Sequence, residues 1–242
     1  MQNQDFIIVV PSRQGSTRLP NKPLANIGHC TMIEHLISSL KLKFSQQIYV
    51  ATDSKEIVDV VRGHGIKYIM TGKCPSGTDR VYEAFSKIPD KKNIRYVINL
   101  QGDMPFINPE VITQILARLR KEDCDIATSI VKVDQEVAAS NSNVKVVLDQ
   151  NNNAMYFSRL PIPYGGKEFN YHIGVYGFTV DALERFVTLK QSCYELSENL
   201  EQLRALESGM KIGVVFSDQV PISVDTQEDL DQAILYYNRY KK

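Results

Sequence analysis

The chain has 242 residues, 43% of them hydrophobic, which is enough for one substantial core. Lysine plus arginine equals aspartate plus glutamate at 28 each, so the net charge is zero and nucleic acid, which needs a cationic surface, is not an expected partner. The four cysteines form no CxxC pair, which excludes zinc-finger and thioredoxin motifs and favours reduced thiols in a cytoplasmic protein.

The first half of the chain alternates short apolar runs with amphipathic segments. The first run, 6–10, is too short for a membrane span or a signal peptide, so we expect no membrane partner. Continuous apolar runs predict buried strands at 6–10, 48–51, 68–70 and 96–100. Amphipathic periodicity predicts helices between and after them, at 31–43, 54–64, 78–88 and 108–121. This alternation predicts an α/β fold with a doubly wound, mostly parallel, Rossmann-like nucleotide-binding sheet, whose ligands bind beyond the carboxyl ends of the strands.

The second half has a different pattern, with short strands separated by turn-rich stretches. Strands are predicted at 143–149, 154–158 and 171–178, and they suggest a small β-rich insertion at about 135–178. Helices at 179–188 and 197–208, a strand at 212–216 and a helix from about 226 follow. With no linker or internal repeat in the sequence, we expect a single domain over 1–242.

The loop after the first strand carries a cluster of cations. Arg13, Arg18 and Lys22 lie in a stretch with no acidic residue between Asp5 and Glu34. Guanidinium and ammonium groups at the carboxyl end of a strand are typical of a polyphosphate site, whereas a solvated basic loop is the plainer alternative. The segment matches neither GxxxxGK[ST] nor GxGxxG, so it is neither a P-loop nor a dinucleotide fingerprint.

The same loop, PSRQGSTRLPNKPL at 11–24, resembles the opening signature of the sugar-nucleotide cytidylyltransferases, above all the CMP-Kdo synthetases (Kdo is 3-deoxy-manno-octulosonate). Further segments resemble that family in the same order: SGTDR at 76–80, NLQGD at 99–103, VKVV at 144–147, YFSR at 156–159, HIGVYG at 172–177, LEQLR at 200–204 and VDT at 224–226. Each motif is weak alone, but the ordered set spans essentially the whole chain.

The resemblance implies a homodimeric, Mg²⁺-dependent enzyme that transfers CMP from CTP to Kdo for lipopolysaccharide biosynthesis. It implies a role of the insertion in sugar binding and dimerisation. The implied catalytic residues are Arg13, Lys22, Asp103 and Asp225, the two acids binding the metal; the nucleotide-binding residues are Pro11, Ser12, Arg13, Lys22, Ser76, Gly77, Thr78 and Arg80; the sugar-binding residues are Gln101, His172, Tyr176, Glu201 and Gln202. The alternatives are another acidic sugar, 8-amino-Kdo or a sialic acid, and an inactive nucleotide-binding protein on the same fold.

The two acids each have a structural alternative. Asp103 follows a buried strand and Gly102, where it suits either a metal or a turn that bonds its own backbone. Asp225 suits the N-cap of the last helix, but Thr226 with Asp229 three residues later would cap it equally well and leave Asp225 free.

The remaining candidates have similar alternatives. Ser76 or Thr78 caps the third helix, and Arg80 in its first turn is disfavoured by the helix dipole unless a ligand offsets the penalty. Strand alternation places His172 and Tyr176 on one face, where a structural role is equally open.

Two candidates and two departures from the family pattern complete the prediction. Glu201 and Gln202 fall outside the apolar seam of a helix, Leu196, Leu200 and Leu203, where plain solvation is the alternative to sugar binding. The chain has Met104 where the family usually has Glu, and Tyr171 where the family commonly has a basic residue.

Overall fold

A computed structural model describes residues 5–15 and 18–241. Its strands are β1 (Phe6–Ser12), β2 (Asn26–Ile27), β3 (Cys30–Thr31), β4 (Ile48–Thr52), β5 (Lys67–Met70), β6 (Tyr96–Leu100), β7 (Ile126–Val133), β8 (Lys145–Leu148), β9 (Ala154–Ser158), β10 (Phe169–Thr179) and β11 (Ile212–Phe216). Its helices are α1 (Met32–Phe44), α2 (Lys55–Gly63), α3 (Gly77–Ser86), α4 (Glu110–Leu119), α5 (Gln135–Ala138), α6 (Val180–Thr188), α7 (Cys193–Glu198), α8 (Gln202–Glu207) and α9 (Gln227–Tyr240), with a short 3-10 helix at Lys22–Leu24.

The described residues fall into two compact units. The first contains the chain up to Ile94, then Asn99–Pro109, and the chain from Pro221 onward. Its strands lie in the order β6-β1-β4-β5, and β1, β4 and β5 pair in parallel. All five residues of β6 are buried, as expected for a strand covered on both faces.

The second unit contains Arg95–Ile98 and Glu110–Val220. Its strands lie in the order β11-β7-β10-β6, with β11 parallel to β7 and β10 antiparallel to it. An antiparallel β8–β9 pair joins the edge of β10. Residues 96–98 of β6 belong to this unit, and the last two residues of the same strand belong to the first unit.

The predicted elements of the first half are confirmed within a few residues. Every predicted strand and helix there has a counterpart, because apolar runs and helix caps are local signals. Thr31 and Glu34 form a capping box at α1, and Ser54 caps α2. The predicted fold class, α/β with a mostly parallel sheet, is confirmed.

The helix predicted at 197–208 is wrong as a single element. The predicted range contains the last residues of α7 and the whole of α8, separated at Asn199, whose φ of 57° is left-handed and ends α7. Leu196 is therefore 64% exposed instead of lying in an apolar seam. Asn readily adopts this conformation, but the apolar spacing across the break imitates a continuous helix.

A strand that the residue pattern did not suggest is β7. Its interior contains Thr128 and Ser129, both fully buried, which breaks up the apolar run. Pairing with β10 on one side and β11 on the other accounts for their burial.

The predicted single domain with an insertion at about 135–178 stays a prediction, as does the role of that insertion; the segment lies within the second unit. In the part of the chain that the structure describes, no helix combines the length and apolar character needed to cross a membrane.

Candidate active site

The first unit contains a cavity of about 290 Å³ at the carboxyl ends of β1 and β6. It is lined by every predicted site residue of this unit except Thr78, namely Pro11, Ser12, Arg13, Lys22, Ser76, Gly77, Arg80, Gln101, Asp103 and Asp225. The other lining residues are Arg18, Pro23, Cys74, Pro75 and Gly102. Loops that are far apart in sequence therefore share one concave site, at the edge of the sheet where ligands of such folds bind.

The two predicted metal ligands meet at one lysine. Lys22 Nζ donates hydrogen bonds to Asp103 Oδ2 at 3.1 Å and to Asp225 Oδ1 at 2.9 Å. Arg18 Nη2 lies 3.3 Å from the other oxygen of Asp225. Burial lowers the pKa of Lys22, but the two carboxylates raise it by more, so the pKa lies above its ordinary value and the ammonium is charged.

The N-terminus of α9 positions Asp225. Thr226 is the N-cap and forms a capping box with Asp229, which accepts hydrogen bonds from the backbone N–H groups of Asp225 and Thr226. Val224 N–H donates to the Asp103 carbonyl at 2.9 Å, which ties the two acidic segments together. Of the two arrangements open to Asp225, the one in which Thr226 is the N-cap is present.

The two acids fit a divalent cation. Asp103 Oδ1 is buried and has no hydrogen-bond partner, and burial raises the pKa of the Asp103 carboxyl, with Lys22 opposing the rise. Such a carboxylate is stabilised by a further positive charge. Within residues 5–15 and 18–241 no cluster of three or more His, Cys, Asp or Glu is present, so oxygens of a substrate and water would complete the coordination.

The start of α3 forms one wall of the cavity. Ser76 is the N-cap and accepts a hydrogen bond from the Asp79 backbone N–H at 3.2 Å, so Thr78 is not the cap. The Arg80 side chain is 5% exposed and donates to Asp53 Oδ2 at 2.9 Å and to Thr71. Asp53 supplies a negative charge to Arg80, and the expectation that a ligand also offsets the dipole penalty stays a prediction.

Gln101 and Thr78 are connected through Asn99, which the sequence analysis did not single out. Asn99 is fully buried, and its amide donates to Thr78 Oγ1 at 3.1 Å. Gln101 Nε2 lies 3.5 Å from Asn99 Oδ1. The Gln101 amide lies beside Gly77, where an added Cβ would be 3.7 Å from it. A polar residue inside the apolar run of β6 was the available signal for Asn99.

Cys74 is another lining residue that sequence reasoning missed. Its thiol donates to Glu83 Oε2 at 3.0 Å, and burial together with this hydrogen bond raises the pKa of Cys74 to about 11. The thiol is thus neutral at physiological pH and adds no negative charge to a wall that faces Arg13 and Lys22.

In the second unit, His172 and Tyr176 are neighbours, as predicted for one face of a strand. Their ring centroids lie 5.3 Å apart although the register of β10 shifts between Ile173 and Tyr176. Thr128 Oγ1 donates to the Val175 carbonyl at 2.8 Å and lies 2.9 Å from His172 Nε2. The His172 Nε2–H therefore donates to Thr128, which leaves Nδ1 as an acceptor. Burial lowers the pKa of His172 to about 3, so the ring is neutral.

Tyr176, Glu201 and Gln202 line a small second cavity together with apolar side chains of β7, β10 and α6. Gln202 is 5% exposed, so the alternative of plain solvation does not hold for Gln202. Gln202 is the first residue of α8, which follows the break at Asn199. A buried ion pair between Arg204 and Glu195 joins α8 to α7.

The two departures from the family pattern lie in different environments. Met104 is buried at 4% exposure, so it packs in the interior instead of adding a charge beside Asp103. Tyr171 lies in β10 opposite Lys145 of β8.

Comparison with known proteins gives consistent matches over the chain. The model of the cytidylyltransferase family matches residues 7–212. The 3-deoxy-manno-octulosonate cytidylyltransferases of Rickettsia massiliae and Rickettsia prowazekii are each 50% identical over 243 residues, covering 100% of this chain and 99% of the relative. A solved CMP:2-keto-3-deoxy-manno-octonic acid synthetase complexed with CTP has a TM-score of 0.89 and 34% identity, covering 97% of this chain and 98% of that one.

Proposed function

The chain belongs to the cytidylyltransferase family, and we propose that it transfers CMP from CTP to the anomeric hydroxyl of Kdo, with release of pyrophosphate. One observation carries the proposal: the basic loop, the first turn of α3 and the carboxylates Asp103 and Asp225 line one cavity. A polyanion, a polar base and a divalent cation are the ligands that this combination suits.

The basic loop binds the triphosphate. Arg13 and Arg18 are exposed at the cavity, where their planar guanidinium groups suit bidentate contacts with phosphate oxygens. Ser12 Oγ is buried, lines the same cavity and has no hydrogen-bond partner, so it is available to a phosphate or a ribose hydroxyl.

The wall formed by the start of α3 binds the cytidine. Ser76 and Arg80 face the cavity, and Arg80 is held in place by Asp53. The Arg80 guanidinium is buried and already paired with Asp53. Its N–H groups are therefore held at fixed positions before the ligand binds.

Asp103 and Asp225 hold Mg²⁺ in this proposal. A divalent ion held by these two carboxylates would supply positive charge for the phosphates and would favour the ionised form of the attacking hydroxyl. The unpaired Oδ1 of Asp103 and the proximity of both carboxylates to one cation support the assignment.

The chemistry is an in-line displacement at the α-phosphorus. The anomeric oxygen of Kdo forms the new P–O bond and releases its proton to solvent, while the bond between the α-phosphorus and the bridging oxygen breaks and its electron pair leaves with pyrophosphate. Arg13 and Lys22 stabilise negative charge as it accumulates on the leaving group. The enzyme needs no covalent nucleophile, because positioning and electrostatics supply the rate enhancement.

In the second unit, His172, Tyr176, Glu201 and Gln202 are the proposed contacts of the acceptor sugar. A neutral His172 with a free Nδ1 accepts a hydrogen bond from a sugar hydroxyl. Glu201 and Gln202 supply further polar groups beside Tyr176.

The setting of the reaction follows from the same assignment. We place it in the cytoplasm, in lipopolysaccharide biosynthesis, with the enzyme as a homodimer. Support for the dimer comes from exposed apolar side chains on β9, the loop after it and α7, namely Met155, Leu160, Tyr164, Tyr194 and Leu196. The ring of Tyr194 lies 5.8 Å from that of Tyr156, so β9 and α7 are neighbours.

A nucleotide-by-sugar matrix of pyrophosphate release, with and without Mg²⁺, tests the function. We expect release with CTP, Kdo and Mg²⁺ together. Turnover with 8-amino-Kdo or a sialic acid in place of Kdo would reassign the acceptor, and CTP binding without turnover of any sugar would identify an inactive nucleotide-binding protein.

The Asp103→Asn variant tests the assignment of the metal ligands. We expect turnover to fall by about 100-fold or more, the scale for loss of one key electrostatic group. Asp231→Asn, which removes an exposed carboxylate from α9, is the matched control and leaves turnover unchanged. Native turnover of Asp103→Asn would contradict the assignment.

A further inference from the structure

The Lys22 ammonium occupies the position between the two carboxylates that the proposal assigns to a metal. Its Nζ lies 3.1 Å from Asp103 Oδ2 and 2.9 Å from Asp225 Oδ1, and its side chain is 16% exposed. Arg18 contacts the other carboxylate oxygen of Asp225, so the charges of Lys22 and Arg18 together neutralise Asp103 and Asp225. A divalent ion entering this site would meet an ammonium group at contact distance.

The backbone of Lys22 is held by its neighbours, and its ammonium is carried on a flexible four-carbon stem. Asn21, in the left-handed region at φ 53°, and the buried Pro23 flank the residue, and the Ala25 N–H donates to the Lys22 carbonyl at 3.1 Å. Leu19 and Ile27, on either side of the segment, pack in one core cluster with Val224. A lysine side chain on such a base moves its ammonium by several ångström through rotamer changes alone.

We propose that Lys22 is an internal counterion that competes with the divalent metal, and that a bound nucleotide relieves the competition by drawing the Lys22 ammonium onto its phosphates. In the free protein Lys22 neutralises Asp103 and Asp225 and weakens metal binding. With the triphosphate in the cavity, the Lys22 ammonium leaves the two carboxylates and contacts phosphate oxygens instead. Asp103 and Asp225 then become available to the ion.

Metal and nucleotide binding are then coupled through one side chain. Each ligand strengthens the binding of the other by the same factor, as linkage requires. The enzyme thereby assembles its charged site only when the nucleotide is present. The inference rests on the proposed function for the identity of the nucleotide, but the competition between Lys22 and the ion is testable without any turnover.

In the test, Mn²⁺ is titrated into the nucleotide-free protein. Its binding is measured by calorimetry or by the electron paramagnetic resonance signal of free Mn²⁺. Lys22→Met removes the ammonium and keeps the length of the apolar stem. We expect Lys22→Met to bind Mn²⁺ about tenfold or more tightly than the wild type, because an adjacent unit charge changes ionic equilibria by that scale.

Two further variants make the result specific. Lys132→Met removes one positive charge from an exposed pair with Glu168 and is expected to leave Mn²⁺ affinity unchanged. Lys22→Met combined with Asp225→Asn is expected to lose the gained affinity, which locates the ion between the acids. Circular dichroism spectra that match the wild type verify the fold of each variant.

Equal or weaker Mn²⁺ binding by a folded Lys22→Met variant would overturn the proposal, as would an equal gain in Lys132→Met. Failure of the proposed function is a different outcome: it would appear as absence of pyrophosphate release by the wild type with CTP and Kdo, which the Mn²⁺ titration does not measure.

Discussion

His172 shows how burial sets the ionisation state of a side chain whose type leaves that state open. Its ring lies among Phe157 and Tyr176, and the Thr128 hydroxyl is its polar partner. Since burial lowers the pKa of His172 from 6.5 to about 3, the folded protein keeps this ring neutral where the unfolded chain protonates it. The residue suits a role as a neutral acceptor and not as a cation for the carboxylate of an acidic sugar.

This difference predicts a pH dependence of stability. Above pH 6.5 the contribution of His172 is fully present, and it is lost as the pH falls from 6.5 towards 3, because only the unfolded state takes up the proton. Between pH 7.5 and 5 we expect the wild type to lose roughly 2 kcal/mol of unfolding free energy more than His172→Gln does.

Urea denaturation at both pH values provides the measurement. His29→Gln, at an exposed position, controls for the removal of a histidine outside the buried site and should follow the wild type. Parallel pH profiles of the wild type and His172→Gln would show that His172 is protonated in the folded protein.

Helix α9 packs against the turn that joins β2 to β3. Gly28 in that turn has φ +65°, and a Cβ built there collides with the ring of Tyr237 on α9. Tyr237 also packs against His35, with ring centroids 5.0 Å apart. Because α9 begins just after Asp225, the position of this carboxylate depends on how closely the helix approaches the turn.

Gly28→Ala is therefore expected to lower both stability and activity. Gly65→Ala is the matched control, since Gly65 has φ +68° but open space around its Cβ. We expect Gly65→Ala to cost about 1 kcal/mol of unfolding free energy from backbone strain. Gly28→Ala should cost roughly 2 kcal/mol more from the collision.

Urea unfolding and pyrophosphate release measured on the same preparations separate the two effects. Turnover should fall only in Gly28→Ala, where the collision displaces α9 and Asp225. Equal stability and equal turnover of the two variants would mean that the Tyr237 ring moves aside without shifting the helix.

The surface of the second unit favours assembly of the protein with a second copy of itself. Five large apolar side chains on β9, the following loop and α7 are more than half exposed. The contact between the rings of Tyr156 and Tyr194 makes β9 and α7 neighbours, and exposed apolar surface there is typical of an interface with another protein. With no net charge on the chain, self-repulsion does not oppose pairing.

We predict that light scattering coupled to size exclusion gives the mass of two 27.4 kDa chains. Leu196→Asp should weaken the dimer by about 100-fold or more, since it buries a charge without a partner. Leu42→Asp, which changes a fully exposed leucine on α1, is expected to remain dimeric. A monomeric wild type, or equal behaviour of both variants, would contradict the predicted interface.

Local signals in the amino-acid order were sufficient for the α/β class, for the predicted strands and helices of the first half and for the loops that line the cavity of the first unit. Apolar runs, caps and turns act over a few residues, so they can be recognised without knowing any distant partner. Family motifs added candidate roles for Gln101, His172 and Glu201, which no local pattern supplies.

Long-range contacts settled the rest. Lys22 meets Asp103 across 81 positions and Asp225 across 203, so the neutralised acid pair is invisible in any short segment. The choice of Thr226 as the cap of α9, the burial of Gln202 after the break at Asn199, and the strand β7 likewise depend on neighbours brought together by folding. The physical reason is that charge, burial and pairing are properties of a side chain's surroundings, and those surroundings come from remote parts of the chain.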